Sequence, residues 1–324
     1  MLLAGDLGGT KTLLGLFRAT GTSRPDMVVT HEFPTLEFPS AADILEAFFQ
    51  KAGVGADQID GACFGVPGPV IDQRVQPTNV DWAVDARDLQ ARLKLKHVHL
   101  LNDLEAMAYV VPVLRDDELL VLQKGTRNPH GNGALLAAGT GLGQALLINV
   151  DGTWRPSPSE GGHVDFAART PREIQLLQEL TRLYGRAHTE HIICGPGLVN
   201  VARFTSQGRS FVFRETDDVT ELPARITQAA LEQRCPHCVE ALELWISAFG
   251  AAAGNFALAG LATGGVYIGG GIPAKILPAF ETPTFITAFN AKEPLDGLLR
   301  DMPVSIILNR HAGLDGTAVF ANTM

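Results

Sequence analysis

The sequence predicts an α/β protein built from two related lobes, and three observations support this fold class. An apolar strand, a glycine-rich turn and a second strand occur at residues 2–14 and again at residues 135–148. Strand and helix patterns alternate between residues 2 and 101. Sequential β–α–β units of this kind imply a mostly parallel sheet with helices on its faces. The pattern restarts at the second hairpin, so we expect a duplicated structure.

Local patterns predict the elements of the first lobe after its opening hairpin. Ser40 is suited to cap a helix over Ala41–Ala52, whose larger apolar side chains share one face. Apolar runs predict strands at Gly61–Phe64 and His97–Leu101, with a helix over Ala86–Leu93 between them.

The second lobe begins with the second hairpin and a polar stretch from Thr153 to Arg169. A helix then starts after Thr170, with proline at its first position and Glu173 completing a capping box. The uncharged run from Trp245 to Ile272 is long enough to span a bilayer, but it is rich in alanine and glycine. We therefore predict a buried helix and a buried strand there rather than a membrane segment. A last strand is expected at Val304–Leu308, followed by a tail that packs back on the first lobe.

Composition excludes several classes of protein. The chain has 324 residues and a net charge of −9, with acidic and basic residues interspersed and no basic run, so nucleic acid is not an expected partner. Its 4 cysteines are too few for a disulfide scaffold of this size, which favours a reducing cytoplasm. The N-terminus enters a strand directly, with no basic region typical of a signal peptide.

The two glycine turns are candidate phosphate-binding sites. Glycine allows close approach of a ligand to the backbone, and successive free N–H groups in a turn suit phosphate oxygens. Neither turn matches a P-loop or a dinucleotide fingerprint, because each leads into a strand rather than a helix. Two such turns in a duplicated chain indicate a nucleotide held by two related lobes.

Asp6 and Asp103 are the carboxylates that could act beside a phosphate. Asp6 lies in the first turn and could hold Mg²⁺ through water, or could simply accept local backbone hydrogen bonds. Asp103 follows a strand and begins a helix, where it could be a catalytic group or only an N-cap. Asn102 adds a neutral donor and acceptor that would suit a polyol substrate.

A second polar cluster comprises Glu160 and His163, which flank two glycines, with Glu190 further along the chain. Carboxylates and an imidazole in a cleft are typical of sugar binding, because each sugar hydroxyl needs an acceptor. The same residue types also bind metals, and their spacing favours neither interpretation. Cys235 and Cys238 form a lone C-x-x-C pair without the further ligands of a zinc site or the context of a redox motif.

Taken together, the motifs resemble the bacterial glucokinase family along nearly the whole chain. The matching segments are Gly5–Thr10, Asn102-Asp103, Gly139–Gly143, Glu160–Phe166, Gly195–Asn200 and Gly264–Ile272. The resemblance implies two duplicated ribonuclease-H-like, actin-like ATPase lobes with a cleft between them, which close on ATP and substrate. We expect the smaller α/β lobe to comprise residues 1–103 and 309–324, and the larger one residues 104–308.

The resemblance also implies a role for each matching residue. Asp103 matches the catalytic base, and the hexose contacts match Asn79, Asn102, Asp103, Glu160, His163 and Glu190. The residues implied in nucleotide binding are Gly5, Asp6, Leu7, Gly8, Gly9, Thr10, Lys11, Gly139, Thr140, Gly141, Gly269, Gly270 and Gly271. Asp6 would hold Mg²⁺ through water. A related branch carries a zinc-binding cysteine cluster after its histidine, but here no cysteine follows His163 before Cys194, so that zinc is not expected.

These implications lead us to expect a cytoplasmic, homodimeric glucokinase that uses ATP and Mg²⁺ to phosphorylate the 6-hydroxyl of glucose. A kinase for another hexose is the nearest alternative. A sugar-sensing protein without activity and a metallohydrolase are alternatives of other classes.

Overall fold

The computed structural model describes residues 1–77, 80–206 and 220–324. The strands, in chain order, are β1 (Leu2–Leu7), β2 (Lys11–Arg18), β3 (Asp26–Pro34), β4 (Gly61–Val66), β5 (Arg74–Val75), β6 (Val84–Asp85), β7 (Val98–Asn102), β8 (Leu119–Gln123), β9 (Gly133–Ala138), β10 (Leu142–Val150), β11 (Thr153–Ser159), β12 (Gly265–Gly269) and β13 (Val304–Ile307). The α-helices are α1 (Ala41–Ala52), α2 (Ala86–Leu93), α3 (Asp103–Val110), α4 (Pro171–Tyr184), α5 (Gly195–Thr205), α6 (Leu222–Leu231), α7 (Pro236–Gly260), α8 (Leu277–Phe280), α9 (Thr284–Asn290), α10 (Asp296–Asp301) and α11 (Ala312–Ala321).

The chain forms two compact units, one of residues 1–116 and 309–324 and the other of residues 117–308. Residues 104–116 belong to the first unit and not, as the sequence predicts, to the larger lobe. The reason is α3, which packs against α11. Gly316 of α11 lies so close to the Ala106 carbonyl that a side chain there would overlap it. The C-terminal tail therefore returns to the first unit, as predicted.

The two units contain sheets of the same topology, which confirms the predicted duplication. Their strand orders are β3-β2-β1-β4-β7 and β11-β10-β9-β12-β13, with β8 added to the edge of the second. In each sheet the first three strands form an antiparallel meander, and the next two run parallel to the first strand. Each sheet is thus mixed, rather than mostly parallel as expected, because both opening hairpins continue into a third antiparallel strand.

Those third strands correct the sequence analysis. β11 lies within the stretch from Thr153 to Arg169 that we described only as polar. Two prolines interrupt its pattern, and a strand containing proline is tolerated at a sheet edge, where one row of N–H groups needs no partner. The strand β3 and the edge strand β8 were also missed; both are largely exposed or half-buried, although β8 begins with the apolar run 119–122.

Several helix predictions are confirmed at their ends. Ser40 caps α1 by accepting from the backbone N–H of Asp43, and Thr170 with Glu173 forms the capping box of α4. The uncharged run that starts at Trp245 contains the C-terminal part of α7 and the whole of β12, which is buried as predicted. The helix α7 is long and apolar enough to cross a membrane. Trp245 and Phe249 of this helix are fully buried in the core of the second unit, which confirms the predicted core helix.

Candidate active site

The first glycine turn, Gly8 to Thr10, joins β1 to β2 and is held by two buried threonines. The Thr35 hydroxyl donates to the Gly8 carbonyl at 2.8 Å, and the Thr35 N–H donates to the Thr10 carbonyl at 2.9 Å. Because the Thr35 proton is used in this way, the Thr12 hydroxyl is the donor in the 2.8 Å contact between the two side chains. Neither threonine was predicted: Thr12 lies in β2 next to the turn, but Thr35 follows β3 and is brought to the turn only by the fold.

Other residues predicted for this turn have different surroundings. Gly5 and Leu7 lie within β1, where a Cβ on Gly5 would come 2.6 Å from Phe64 and the Leu7 side chain belongs to the apolar core. Gly8 has no room for a side chain either, since a Cβ would come 2.6 Å from the Lys11 carbonyl oxygen. The Lys11 ammonium forms an exposed ion pair with Glu32 at 2.8 Å.

Asp6, at the end of β1, lies beside Asp103 within the same unit. Burial, and to a smaller extent the negative charge of Asp103, raises the pKa of Asp6 from 3.8 to about 6. Its Oδ2 also lies 3.1 Å from the position that a Cβ on Gly313 would take, so glycine at the start of α11 leaves room for the carboxylate. Two neighbouring carboxylates that oppose each other's ionisation would be stabilised by a cation.

Asn102, and not Asp103, caps α3. Its Oδ1 accepts from the backbone N–H groups of Leu104 at 2.9 Å and Glu105 at 3.4 Å, while its Nδ2 donates to the Gly68 carbonyl at 3.0 Å. Asp103 is the first residue of the helix and accepts from the N–H of Leu104. The interpretation of Asp103 as a simple N-cap is therefore wrong.

The second glycine turn, Gly139 to Gly141, is joined to both α5 and Glu190. The Gly139 N–H donates to the Gly141 carbonyl, and the Gly195 N–H at the start of α5 donates to the Gly139 carbonyl, both at 2.9 Å. Glu190 Oε2 accepts from the backbone N–H of Leu142 at 2.7 Å. A predicted sugar contact is thus bonded to a predicted phosphate turn.

A cavity of about 780 Å³ opens beside this turn within the second unit. It is lined by Gly139, Thr140, Gly195, Pro196, Leu198, Thr220, Pro223, Ala224, Thr227, Gln228, Leu231, Glu232, Gly271, Ile272, Lys275 and Ile276. Of the three glycines predicted to bind adenosine, Gly271 lines the cavity, while Gly269 ends β12. Gly270 has φ +93° and lies so close to the Ala138 backbone that a side chain would overlap it, so this position requires glycine. The volume and the glycine lining suit a nucleotide.

Glu160 precedes a short 3-10 turn, Gly161–His163, and His163 ends it; both side chains are exposed. Side chains on the two glycines would overlap Gln144 and the Leu142 carbonyl, so these glycines let the turn lie directly on β10. The His163 ring lies 5.0 Å from that of His188, measured between centroids. The sequence analysis missed His188 and His191, although the run from His188 to His191 was a visible signal.

The predicted site residues are thus divided between the units. Asp6, the first glycine turn, Asn102 and Asp103 lie in the first unit, and Glu160, His163, Glu190, the second turn and Gly269–Gly271 lie in the second. Asn79 lies outside the described residues. Among the residues that the structure describes, no group of three histidine, cysteine or carboxylate side chains could hold a metal ion. A single carboxylate such as Asp6 is compatible with Mg²⁺, because this ion prefers oxygen ligands and takes most of them from water and phosphate.

The two units share one topology, and each has a glycine turn in its opening hairpin. These features define the actin-like ATPase fold of sugar kinases. Comparisons with known proteins identify the family. The glucokinase family model matches residues 3–324, so the chain belongs to the glucokinase family. A glucokinase of Nostoc sp. is 36% identical over 338 residues, covering 99% of this chain and 98% of its own. A glucokinase structure from an Antarctic psychrotroph has a TM-score of 0.87 at 26% identity, covering 100% of this chain and 99% of its own. The Balamuthia mandrillaris glucokinase, solved with glucose, has the same fold, with a TM-score of 0.79 at 22% identity and coverage of 100% and 93%.

Proposed function

We propose that this protein transfers the γ-phosphate of ATP to the 6-hydroxyl of glucose, giving glucose 6-phosphate and ADP. Membership of the glucokinase family along the whole chain supports the reaction class. The supporting observation within the site is the proximity of Asp103 to Asp6 and its glycine turn, with Asn102 serving as the helix cap. Because Asn102 caps α3, Asp103 does not serve as the helix cap, and it lies beside the proposed phosphate-binding turn.

Phosphoryl transfer depends mainly on positioning and on stabilising charge. In this proposal Asp103 accepts the proton of the 6-hydroxyl as the new bond forms. Asn102, Glu160, His163 and Glu190 hold the sugar hydroxyls, and the two glycine turns bind the phosphates. Asp6 would hold Mg²⁺ through water, and the ion would supply positive charge to the phosphates.

The cavity of the second unit supports ATP as the donor. Pro223 at the start of α6 lies near Gly195, since its Cγ would be 3.5 Å from a Cβ there. The helix then continues along the cavity through Thr227 to Leu231. Phosphates at Gly139 and Gly195 would place the base further along α6, beside Leu231 and Ile276. Lys11 pairs with Glu32, so a phosphate contact from Lys11 would require that exposed pair to open.

The direct test is ADP release by the purified protein, measured with glucose, ATP and Mg²⁺ and with each omitted in turn. We expect turnover only when all three are present. A panel of mannose, fructose and N-acetylglucosamine separates a glucokinase from another hexose kinase, and ADP or polyphosphate as donor tests the nucleotide. Glucose binding without ADP release would favour a sugar sensor and contradict the proposal.

We also propose a cytoplasmic homodimer that supplies glycolysis. The four cysteines are free and buried, which is compatible with a reducing compartment. Analytical ultracentrifugation distinguishes a dimer from a monomer, and cell fractionation tests the location.

A further inference from the structure

Four aromatic rings form a continuous row that ends at His163. The Tyr184 and His191 rings are stacked, with centroids 4.3 Å apart and an angle of 18° between planes. The His191 and His188 centroids are 3.6 Å apart, and His188 meets His163 edge-on at 5.0 Å and 71°. Of these four rings, only His163 is predicted to contact the sugar. His188 is the ring that packs directly against His163.

The backbone around His188 is paired with the backbone around His163. Residues Asp165 and His188 form an antiparallel bridge, the Phe166 N–H donates to the Ala187 carbonyl at 3.1 Å, and both the N–H and the hydroxyl of Thr189 donate to the Val164 carbonyl. Arg186 adds an ion pair with Asp165 and a hydrogen bond to the His163 carbonyl. These bonds keep His188 in register with the turn that carries His163.

The His188 ring is half-buried in a setting that favours its neutral form. Its Nδ1 is buried and has no hydrogen-bond partner among the residues that the structure describes. Burial is the main cause that lowers the pKa of His188, and the charges of His163 and Arg186 lower it further, while Glu190 and a hydrogen bond to the Gly162 backbone oppose the change. Burial also lowers the pKa of His191, with His188, Arg186 and His163 acting in the same direction and Glu190 against them.

We propose that His188 is a positioning residue for glucose binding: its neutral ring holds the His163 imidazole in the orientation that contacts the sugar. Protonation of His188 places a charge against the His163 and His191 rings and near the Arg186 guanidinium, whose like charge repels it, so the close packing of the rings is weakened. Glucose binding therefore weakens in mild acid, while ATP binding and the chemical step do not depend on this ring. This inference rests on the proposed function.

The test compares two variants over pH 5.5 to 8, using steady-state kinetics with glucose and ATP varied separately. His188→Ala removes the ring and is expected to raise the KM for glucose about fivefold to tenfold at neutral pH, the loss expected for one misplaced hydrogen bond. His188→Phe keeps a ring of similar shape but cannot be protonated. At neutral pH this variant is expected to bind glucose like the wild type. Below the usual histidine pKa of about 6.5 the KM of the wild type for glucose should rise, and that of His188→Phe should rise much less.

An exposed histidine of the same unit provides the control, since His130→Ala should leave all these values unchanged. Unchanged KM for glucose in His188→Ala, or a full acid-dependent rise in His188→Phe, would overturn the inference. Parallel losses of kcat, ATP affinity and thermal stability would show a purely structural role and also overturn it. A wild-type protein without glucose-dependent ADP release would instead refute the proposed function, and this inference with it.

Discussion

Glu190 accepts a hydrogen bond from the backbone N–H of Leu142 at 2.7 Å, which joins a predicted sugar contact to the second glycine turn. The same carboxylate oxygen lies 2.5 Å from the position that a Cβ on Gly141 would take. A change at either residue should therefore affect the turn as well as the sugar. Glu160 has no such bond among the contacts described, and this difference leads to the first two predictions.

Glu190→Gln is expected to weaken the binding of both glucose and ATP, whereas Glu160→Gln should weaken glucose binding alone. A hydrogen bond to a charged acceptor contributes roughly 1.5–3 kcal/mol, or about one to two decades in affinity. Isothermal titration with each ligand separately measures both effects. His163→Ala should behave like Glu160→Gln. Equal losses of ATP affinity in all three variants would point to a common folding defect.

Gly141→Ala and Gly139→Ala should show whether glycine is needed at each position for folding or for binding ATP. A Cβ at Gly141 would collide with Glu190, whereas a Cβ at Gly139 would meet no atom of the described residues within 4 Å. We expect Gly141→Ala to lower the free energy of unfolding by about 1–3 kcal/mol, as overpacking does. Gly139→Ala should unfold like the wild type and lose ATP affinity. If Gly139→Ala binds ATP normally, this turn does not hold the phosphates closely.

Asp103→Asn is expected to fold normally and to lose about 10²–10⁴-fold in kcat, the usual contribution of a general base. Asparagine keeps an oxygen that can accept from the Leu104 N–H, so the start of α3 should persist. Asp88→Asn, in the exposed first turn of α2, is the matched control for removing a carboxylate near a helix N-terminus. Turnover of Asp103→Asn close to that of the wild type would exclude Asp103 as the base.

Asp6→Asn is expected to increase stability at neutral pH. The folded-state pKa of Asp6 is raised to about 6, mainly by burial, so the folded protein binds a proton more readily than the unfolded chain. The resulting stabilisation is complete below pH ~4 and is lost as the pH rises through about 6. The advantage of Asp6→Asn should therefore grow over this interval to at most about 3 kcal/mol.

Urea unfolding at pH 4.5 and pH 7.5 measures this difference, with Asp26→Asn, an exposed carboxyl at the start of β3, as the control. Stabilisation of the wild type by ATP and Mg²⁺ together should be lost in Asp6→Asn. If Asp6→Asn is less stable than the wild type at pH 7.5, then ionised Asp6 does not destabilise the folded protein and the prediction is wrong.

Sequence patterns were reliable where the cause is local. Ser40 and Thr170 cap the predicted helices because a cap needs only a side-chain oxygen a few residues from the N–H groups that it bonds. Asp103 and Asn102 show the limit of such reasoning. Both residues can cap a helix, and the choice of Asn102 depends on where α3 begins and on its bond to the Gly68 carbonyl, 34 residues away.

The sequence by itself determined the duplicated hairpins, the core helix near Trp245 and the family. Periodicity, capping and motif order depend on residues that are close together or in a fixed order along the chain. The tertiary structure alone decided which groups meet: Thr35 with the first glycine turn, Glu190 with Leu142, and His188 with His163. It also assigned α3 to the first unit, through the close crossing of Gly316 with Ala106. These contacts join residues far apart in the chain, and their distances depend on how whole elements pack.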